Sequence, residues 1–353
     1  MLFLTNDSTM DGDTIKHHKN LYFDDGNVAL VATTRGTGGE PDEHLVFRLH
    51  QSILAKHSPV FKDMFGFPAA PGAELYEGVP LVRMTDSASD LESLLGVFYC
   101  EPVFSLKAFD PNTPLRVKSL LILADKYDVQ HLRELIVNRL EDDWPQSLFE
   151  WDSLEAEVSS KVEACTLHDI SATDVDDDYP EPGSAIQLAR QCNIPNILPA
   201  AFYHLSRISI DFDWDHLRTA EGSAPEAWYT GGSRSARWNC LSKEDFICLL
   251  QGRARLAEYV EDTLCLQSAY PKAHAGGDCS EADWSTFWHQ FRKECKQDLD
   301  ILAVLRLYSE LFNDVTAWKG LCISCRAKIS SQATTARQEI WRQIPTFFKL
   351  EHS

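Results

Sequence analysis

The dipeptide Ser58-Pro59 divides the amphipathic stretch Phe47 to Phe65, and that interruption constrains the fold more than any other feature of the chain. A hydroxyl at position 58 can accept from an orphan amide of a new helix, and proline fits the first helical position because no donor is needed there. The stretch therefore reads as the end of a strand, a short helix, and a second helix that starts afresh. Ile53, Leu54, Val60, Phe61, Met64 and Phe65 fall at helical spacing on one apolar face, which needs a sheet or another helix to cover it. Nothing in the stretch carries chemistry.

The chain has 353 residues, enough for two domains with cores of ordinary size. Its charge balance, 33 basic against 53 acidic side chains, gives a net charge of −20. That sign opposes phosphate backbones and anionic lipid, so protein partners are expected, with neither direct nucleic-acid contact nor a membrane. No apolar run approaches the roughly 20 residues of a membrane span, and the first ten residues lack the basic start and apolar core of an export signal. The expectation is a soluble intracellular protein, in cytoplasm or nucleus. Its ten cysteines are scattered singly apart from Cys322 and Cys325, which argues against a disulfide framework.

Residues 1–19 are polar and aperiodic and read as a flexible lead-in. Leu21 to Thr33 is a β-rich run broken by turn residues, and His44 to Leu49 alternates as a half-buried strand; together they predict a hairpin. The glycines between Arg35 and Pro41 read as its turn, because no Gly-Lys-Ser/Thr follows and the loop enters a strand rather than a helix. Val79 to Met84 reads as a short strand that Pro80 keeps at an edge or at its start. Asp90 to Tyr99 and Val117 to Tyr127 read as helices, and Leu132, Leu135, Ile136 and Leu140 continue the pattern to about Glu141.

Taken in order, Asp25-Gly26-Asn27-Val28, Phe47-Arg48-Leu49-His50, Ile53-Leu54-Ala55, Ser58-Pro59-Val60-Phe61, Met64-Phe65 and Leu121 to Val129 resemble a BTB/POZ domain. The resemblance implies an α+β N-terminal domain, a small sheet capped by helical hairpins, that works without chemistry of its own or any cofactor. It implies dimerisation or partner binding, as a homodimer or heterodimer, and a cullin ubiquitin ligase as one such partner. The domain is placed at 20–144. The Gly/Pro-rich insertion after Phe65 and the stretch Pro102 to Pro114 depart from compact members of the family.

Between Glu141 and Glu181 fourteen acidic residues face one basic residue, Lys161, so 145–182 reads as an acidic linker, helical in its first half and mobile and solvated in its second. Asp174, Asp176 and Asp178 open with the spacing of a calcium loop, but Tyr179 replaces the turn glycine and Ala185 the closing glutamate. Residues 183–353 read as a mostly α-helical C-terminal domain. Ser242 with Asp245 marks a helix start, and Phe246, Leu249, Leu250, Arg253, Leu256 and Val260 form a stripe. Trp284, Phe287, Trp288 and Phe291 form another, read as packing, while Asp211 to Gly232 reads as loop. Ala185 to Arg190, Ile194 to Tyr203, and Leu321 to Arg326 with Trp341 and Pro345 resemble the C-terminal region of uncharacterised fungal BTB-containing proteins.

Two constellations invite a chemical reading. Cys322-Ile323-Ser324-Cys325 has metal-ligand spacing and reads as two plain buried or surface thiols, as a redox pair, or as half of a structural zinc site with Cys279, Cys295, His274 and His289 as the nearest further ligands. His44, His50 and His57 lie close in sequence, yet spacings of six and seven residues put them on different elements and faces, and His50 is expected to cap a helix or satisfy a backbone group. No catalytic residue is assigned. The sequence thus predicts a non-enzymatic scaffold or adaptor; the alternative is a transcriptional or chromatin co-regulator recruited through partners, since neither a zinc-finger array nor a basic patch is present.

Overall fold

The computed structural model describes residues 8–10, 13–34, 43–68, 72–99, 106–168, 176–219, 234–265, 279–310 and 320–350. The glycine-rich turn after Thr34, Asp174 and His274 lie outside the described residues. The chain divides into two units: one formed by residues 1–107 and 115–139, the other by 108–114 and 140–353.

The N-terminal unit is built on a six-stranded mixed sheet: β1 (Ser8–Met10), β2 (Asp13–Tyr22), β3 (Val28–Thr34), β4 (Glu43–Leu49), β5 (Leu75–Tyr76) and β6 (Val79–Arg83). Their order is β1-β2-β4-β3-β6-β5. The expected hairpin is β3 against β4, antiparallel from Val28 opposite Leu49 to Thr34 opposite Glu43. Alternation sorts its residues, so that Leu30 and Phe47 share one face and Val31 and Val46 the other. Ile15, Ala29, Val31, Val46 and Tyr76 form a buried cluster covered by Tyr22, Val79 and Leu81. Pro80 pairs with Leu75 on the two-residue edge strand, whereas the β3 ladder begins one residue later at Leu81, so the missing amide costs no central hydrogen bond.

The lead-in expected over residues 1–19 is corrected over its second half. Residues 13–19 belong to β2, which runs parallel to β4, and Ile15 is 1% exposed. The segment reads as polar because Lys16 points to solvent and pairs with the Glu43 carboxylate, while half-buried His17, on the opposite face, bonds the hydroxyl of buried Tyr76.

Around the sheet lie α1 (Gln51–His57), α2 (Pro59–Gly66), α3 (Ala88–Phe98), α4 (Thr113–Lys126) and α5 (Gln130–Asp143). Leu54, Phe61, Leu91, Leu94, Leu95, Val117, Leu120 and Leu121 are buried, as the stripes require. The single apolar face drawn through both short helices is corrected: Val60 is 40% exposed, and Leu135 on α5 is 50% exposed. Restarting the helix at Ser58 resets the phase, so only Leu54 and Phe61 are fully covered.

The second unit is helical. It contains α6 (Leu148–His168), α7 (Pro182–Gln191), α8 (Leu198–Ser206), α9 (Trp214–Thr219), α10 (Lys243–Tyr259), α11 (Glu281–Gln297), α12 (Ile301–Glu310) and α13 (Ile323–Phe347). Capping boxes start α10 at Ser242 with Asp245 and α11 at Ser280 with Asp283. Trp284, Phe287, Trp288 and Phe291 are buried, with Tyr308 edge-on to Phe287 and Phe291, so that stripe is packing. On α10 Leu250 is exposed, contrary to the stripe, and Arg253 instead spans to the Ser206 and Ile208 carbonyls at 2.9 and 2.8 Å, satisfying the end of α8. The loop expected over 211–232 begins with helix α9, whose Asp213 carboxylate accepts from the His216 amide at 2.9 Å; the remainder lies outside the described residues.

The acidic stretch is also corrected. Asp176 is 1% exposed and accepts from Arg234 Nε at 3.1 Å and from the Ser235 hydroxyl. Glu181, equally buried, caps α7 through the Gly183 and Ser184 amides at 2.6 and 2.8 Å and accepts from the Arg237 amide at 2.8 Å. Cations distant in sequence neutralise these acids, which is why a local count of charge misreads them as solvated.

Candidate functional site

In the N-terminal unit Ser58 is the pivot of the helical hairpin. Its hydroxyl accepts from the Phe61 amide at 3.1 Å and donates to the Tyr127 carbonyl at 2.5 Å, tying the start of α2 to the end of α4. The Tyr127 ring lies flat on Phe61 with centroids 4.7 Å apart, and its hydroxyl donates to Asp86, which also receives Lys126 at 2.5 Å. Burial, then the Asp86 carboxylate, pushes the Tyr127 hydroxyl far above its ordinary range.

The three histidines are held apart, each by its own partner. His44 Nδ1 meets the Thr33 hydroxyl at 2.9 Å, and His57 stacks on Phe98 with centroids 5.0 Å apart. His50 is the N-cap residue of α1, but its side chain makes no capping bond; its ring bridges the Tyr99 hydroxyl at 3.1 Å and Asp25 at 3.2 Å, while its amide donates to the same hydroxyl at 2.9 Å. These side chains hold elements together. Among its exposed residues are several large apolar ones: Val60 and Phe67 at the two ends of α2, Leu75 on β5, Leu115 and Ile122 seven residues apart on one side of α4, and Leu135 on α5.

In the helical unit the structure brings together Cys279, Cys322 and Cys325, whose sulfur atoms all lie within 4.8 Å of one another, with Cys279 and Cys325 3.6 Å apart. Cys322 is the N-cap of α13 and makes no side-chain capping bond, and Cys325 is in the first turn of that helix. Cys279 immediately precedes Ser280, the N-cap of α11. Two helix N-termini therefore converge on the sulfurs. Burial, and then the two neighbouring sulfurs, push the Cys325 thiol up to about 12. Of the other expected ligands, His289 is exposed on α11, and Cys295 is fourteen residues beyond the start of that helix, about 20 Å along its axis. Neither joins the cluster.

A second polar centre escaped the sequence reading. Arg207 pairs with both oxygens of Glu155 at 2.8 Å, with Asp300, and with His204 Nδ1 at 2.7 Å. Tyr203 donates to Asp300 at 2.8 Å and accepts from the Leu302 amide at 2.9 Å. Burial opposes ionisation of Asp300, but Arg207 and the donors around it prevail and hold its carboxyl below the ordinary range. His204 and Arg207 line a cavity of about 630 Å³. The only signal in the sequence was an arginine and a histidine inside an otherwise apolar helix end.

The N-terminal unit is thus a small mixed sheet carrying helical hairpins, with its buried and half-buried polar side chains bound to one another. Residues 42–143 match the BTB/POZ domain family model, so the chain carries a BTB/POZ domain, the type of module that mediates protein interactions and dimerisation. The match covers less than a third of the 353 residues, and no curated protein and no solved structure matches the sequence.

Proposed function

We propose that the chain is a non-enzymatic adaptor. The BTB/POZ unit supplies one contact surface, for a second copy or a partner, and the helical unit supplies another. The observation that carries this reading is the use of the N-terminal unit's residues. His44, His50, Ser58, Asp86, Tyr99 and Tyr127 are committed to holding strands and helices, whereas Val60, Phe67, Leu115, Ile122 and Leu135 are left outward. Single exposed apolar residues are ordinary; five on the helices and helix ends of a unit whose family works by contact are what a partner would cover.

A cullin is the partner we test first. Sedimentation velocity of the full chain, alone and mixed with a purified cullin, is expected to show self-association or a mixed complex, and Ile122→Asp or Val60→Asp to weaken it at least tenfold. A chain that stays monomeric and binds no cullin sinks the ligase-adaptor reading.

A further inference from the structure

We propose that Cys279, Cys322 and Cys325 are thiolate ligands of a tetrahedral zinc ion that clamps the N-terminus of α11 to that of α13. Three observations support it. The first is spacing. Zinc–thiolate bonds of about 2.3 Å at tetrahedral angles put sulfurs about 3.8 Å apart, and the Cys279 and Cys325 sulfurs are 3.6 Å apart with Cys322 inside the same 4.8 Å limit. The second is the local field. Both cysteine-bearing segments sit at helix starts, whose positive ends favour thiolate over thiol.

The third is the chemistry of burial. Three sulfurs packed this closely, two of them buried and Cys322 half-buried, cannot all ionise unless a cation stands between them, and thiolate donors in a small tetrahedral space select zinc over harder cations. On binding, each thiol gives its proton to solvent and donates a sulfur lone pair; no electron is transferred. The fourth position is filled by a donor other than Cys295 or His289, which stand apart from the cluster.

The test is elemental analysis of the full chain purified without chelator, joined to alkylation mapped by mass spectrometry before and after chelation. One zinc per chain is expected, with Cys279, Cys322 and Cys325 protected from alkylation at least tenfold until the chelator is added. Replacement by Co(II) is expected to give thiolate charge-transfer bands. Cys279→Ser should lose the metal and Cys295→Ser keep it; because the mapping is done on the unaltered protein, a serine variant that misfolds does not blur the result. Zinc well below one per chain, protection that excludes Cys279, or a Cys279–Cys325 disulfide in the purified protein overturns the proposal.

Discussion

His204 has a fixed tautomer for a reason that can be read atom by atom. Its Nδ1 faces an Arg207 nitrogen at 2.7 Å, and a guanidinium only donates, so Nδ1 must hold a lone pair and the ring is neutral with its proton on Nε2. A second proton would set two donors against each other, in a site where burial, and then Arg234 and Arg207, already hold the imidazolium well below its ordinary range. The folded chain therefore binds fewer protons here than the unfolded chain. This histidine's contribution is complete above about pH 6.5 and is lost as pH falls through the window beneath it. Replacing His204 with Gln keeps an acceptor for Arg207 and removes the titration. Urea unfolding at pH 7.5 and 5.5 is expected to give a stability slope steeper in the wild type by up to about 1.4 kcal/mol per pH unit, the value for one proton. Equal slopes would mean that His204 titrates normally. The centre was not legible in the sequence because Glu155, His204, Arg207 and Asp300 are joined only by the fold, whereas the pair Cys322 and Cys325 announced itself by spacing.

At the scale of elements, α10 shows where propensity and packing oppose each other. Gly252 is buried in the middle of that helix, a position where alanine would be worth about 1 kcal/mol of helix propensity. A Cβ there would stand 2.1 Å from Cδ1 and 2.2 Å from Cε1 of Phe348, a ring with no exposure that also packs on Phe202. The ring is enclosed and cannot swing away, so overpacking, about 1–3 kcal/mol in a filled core, outweighs the gain. Gly252→Ala should lower the unfolding midpoint, and adding Phe348→Leu should restore part of it, since contacting sites couple. An alanine that stabilises the chain would show that the close approach is not real. Periodicity found α10, its Ser242 start and the buried Leu249, Leu256 and Val260. It could not find Leu250 facing solvent, because a stripe of spacing has a width and the neighbouring element sets which of its edges is covered. β2 was missed for a related reason: its exposed residues are polar, and its pairing with β4 is parallel and distant in sequence.

At the scale of the molecule, composition suggests a boundary near Trp144, where acidic residues begin, but the chain is threaded otherwise. It leaves the N-terminal unit after Lys107, gives residues 108–114 to the helical unit, returns for 115–139, and leaves again at Leu140. The reason lies in a buried guanidinium 125 residues downstream. Arg237, 5% exposed, donates to the Pro111 carbonyl at 3.1 Å and to the Asn112 side-chain oxygen at 2.6 Å, meets Glu181 at 3.3 Å and lies over the Trp214 ring. The Phe109 amide donates to Asp143 at 2.8 Å, and Asn196 donates to Glu141 at 2.8 Å. A fragment 145–353 would keep Arg237 buried but remove the Pro111 carbonyl and the Asn112 oxygen that it bonds, and would remove Glu141 from the exposed Asn196. Each buried donor left unsatisfied costs about 1–3 kcal/mol, more for a charged one, against a total stability of order 5–15 kcal/mol. That fragment should therefore show a lower urea midpoint and weaker near-ultraviolet circular dichroism per tryptophan than the same helices in the full chain. Restoring 108–144 in one piece should recover neither fully, because residues 115–139 would then stand without the β2–β4 sheet that their own unit supplies. If 145–353 unfolds at the midpoint of the full chain's helical unit, the threading is incidental and the compositional boundary is the physical one.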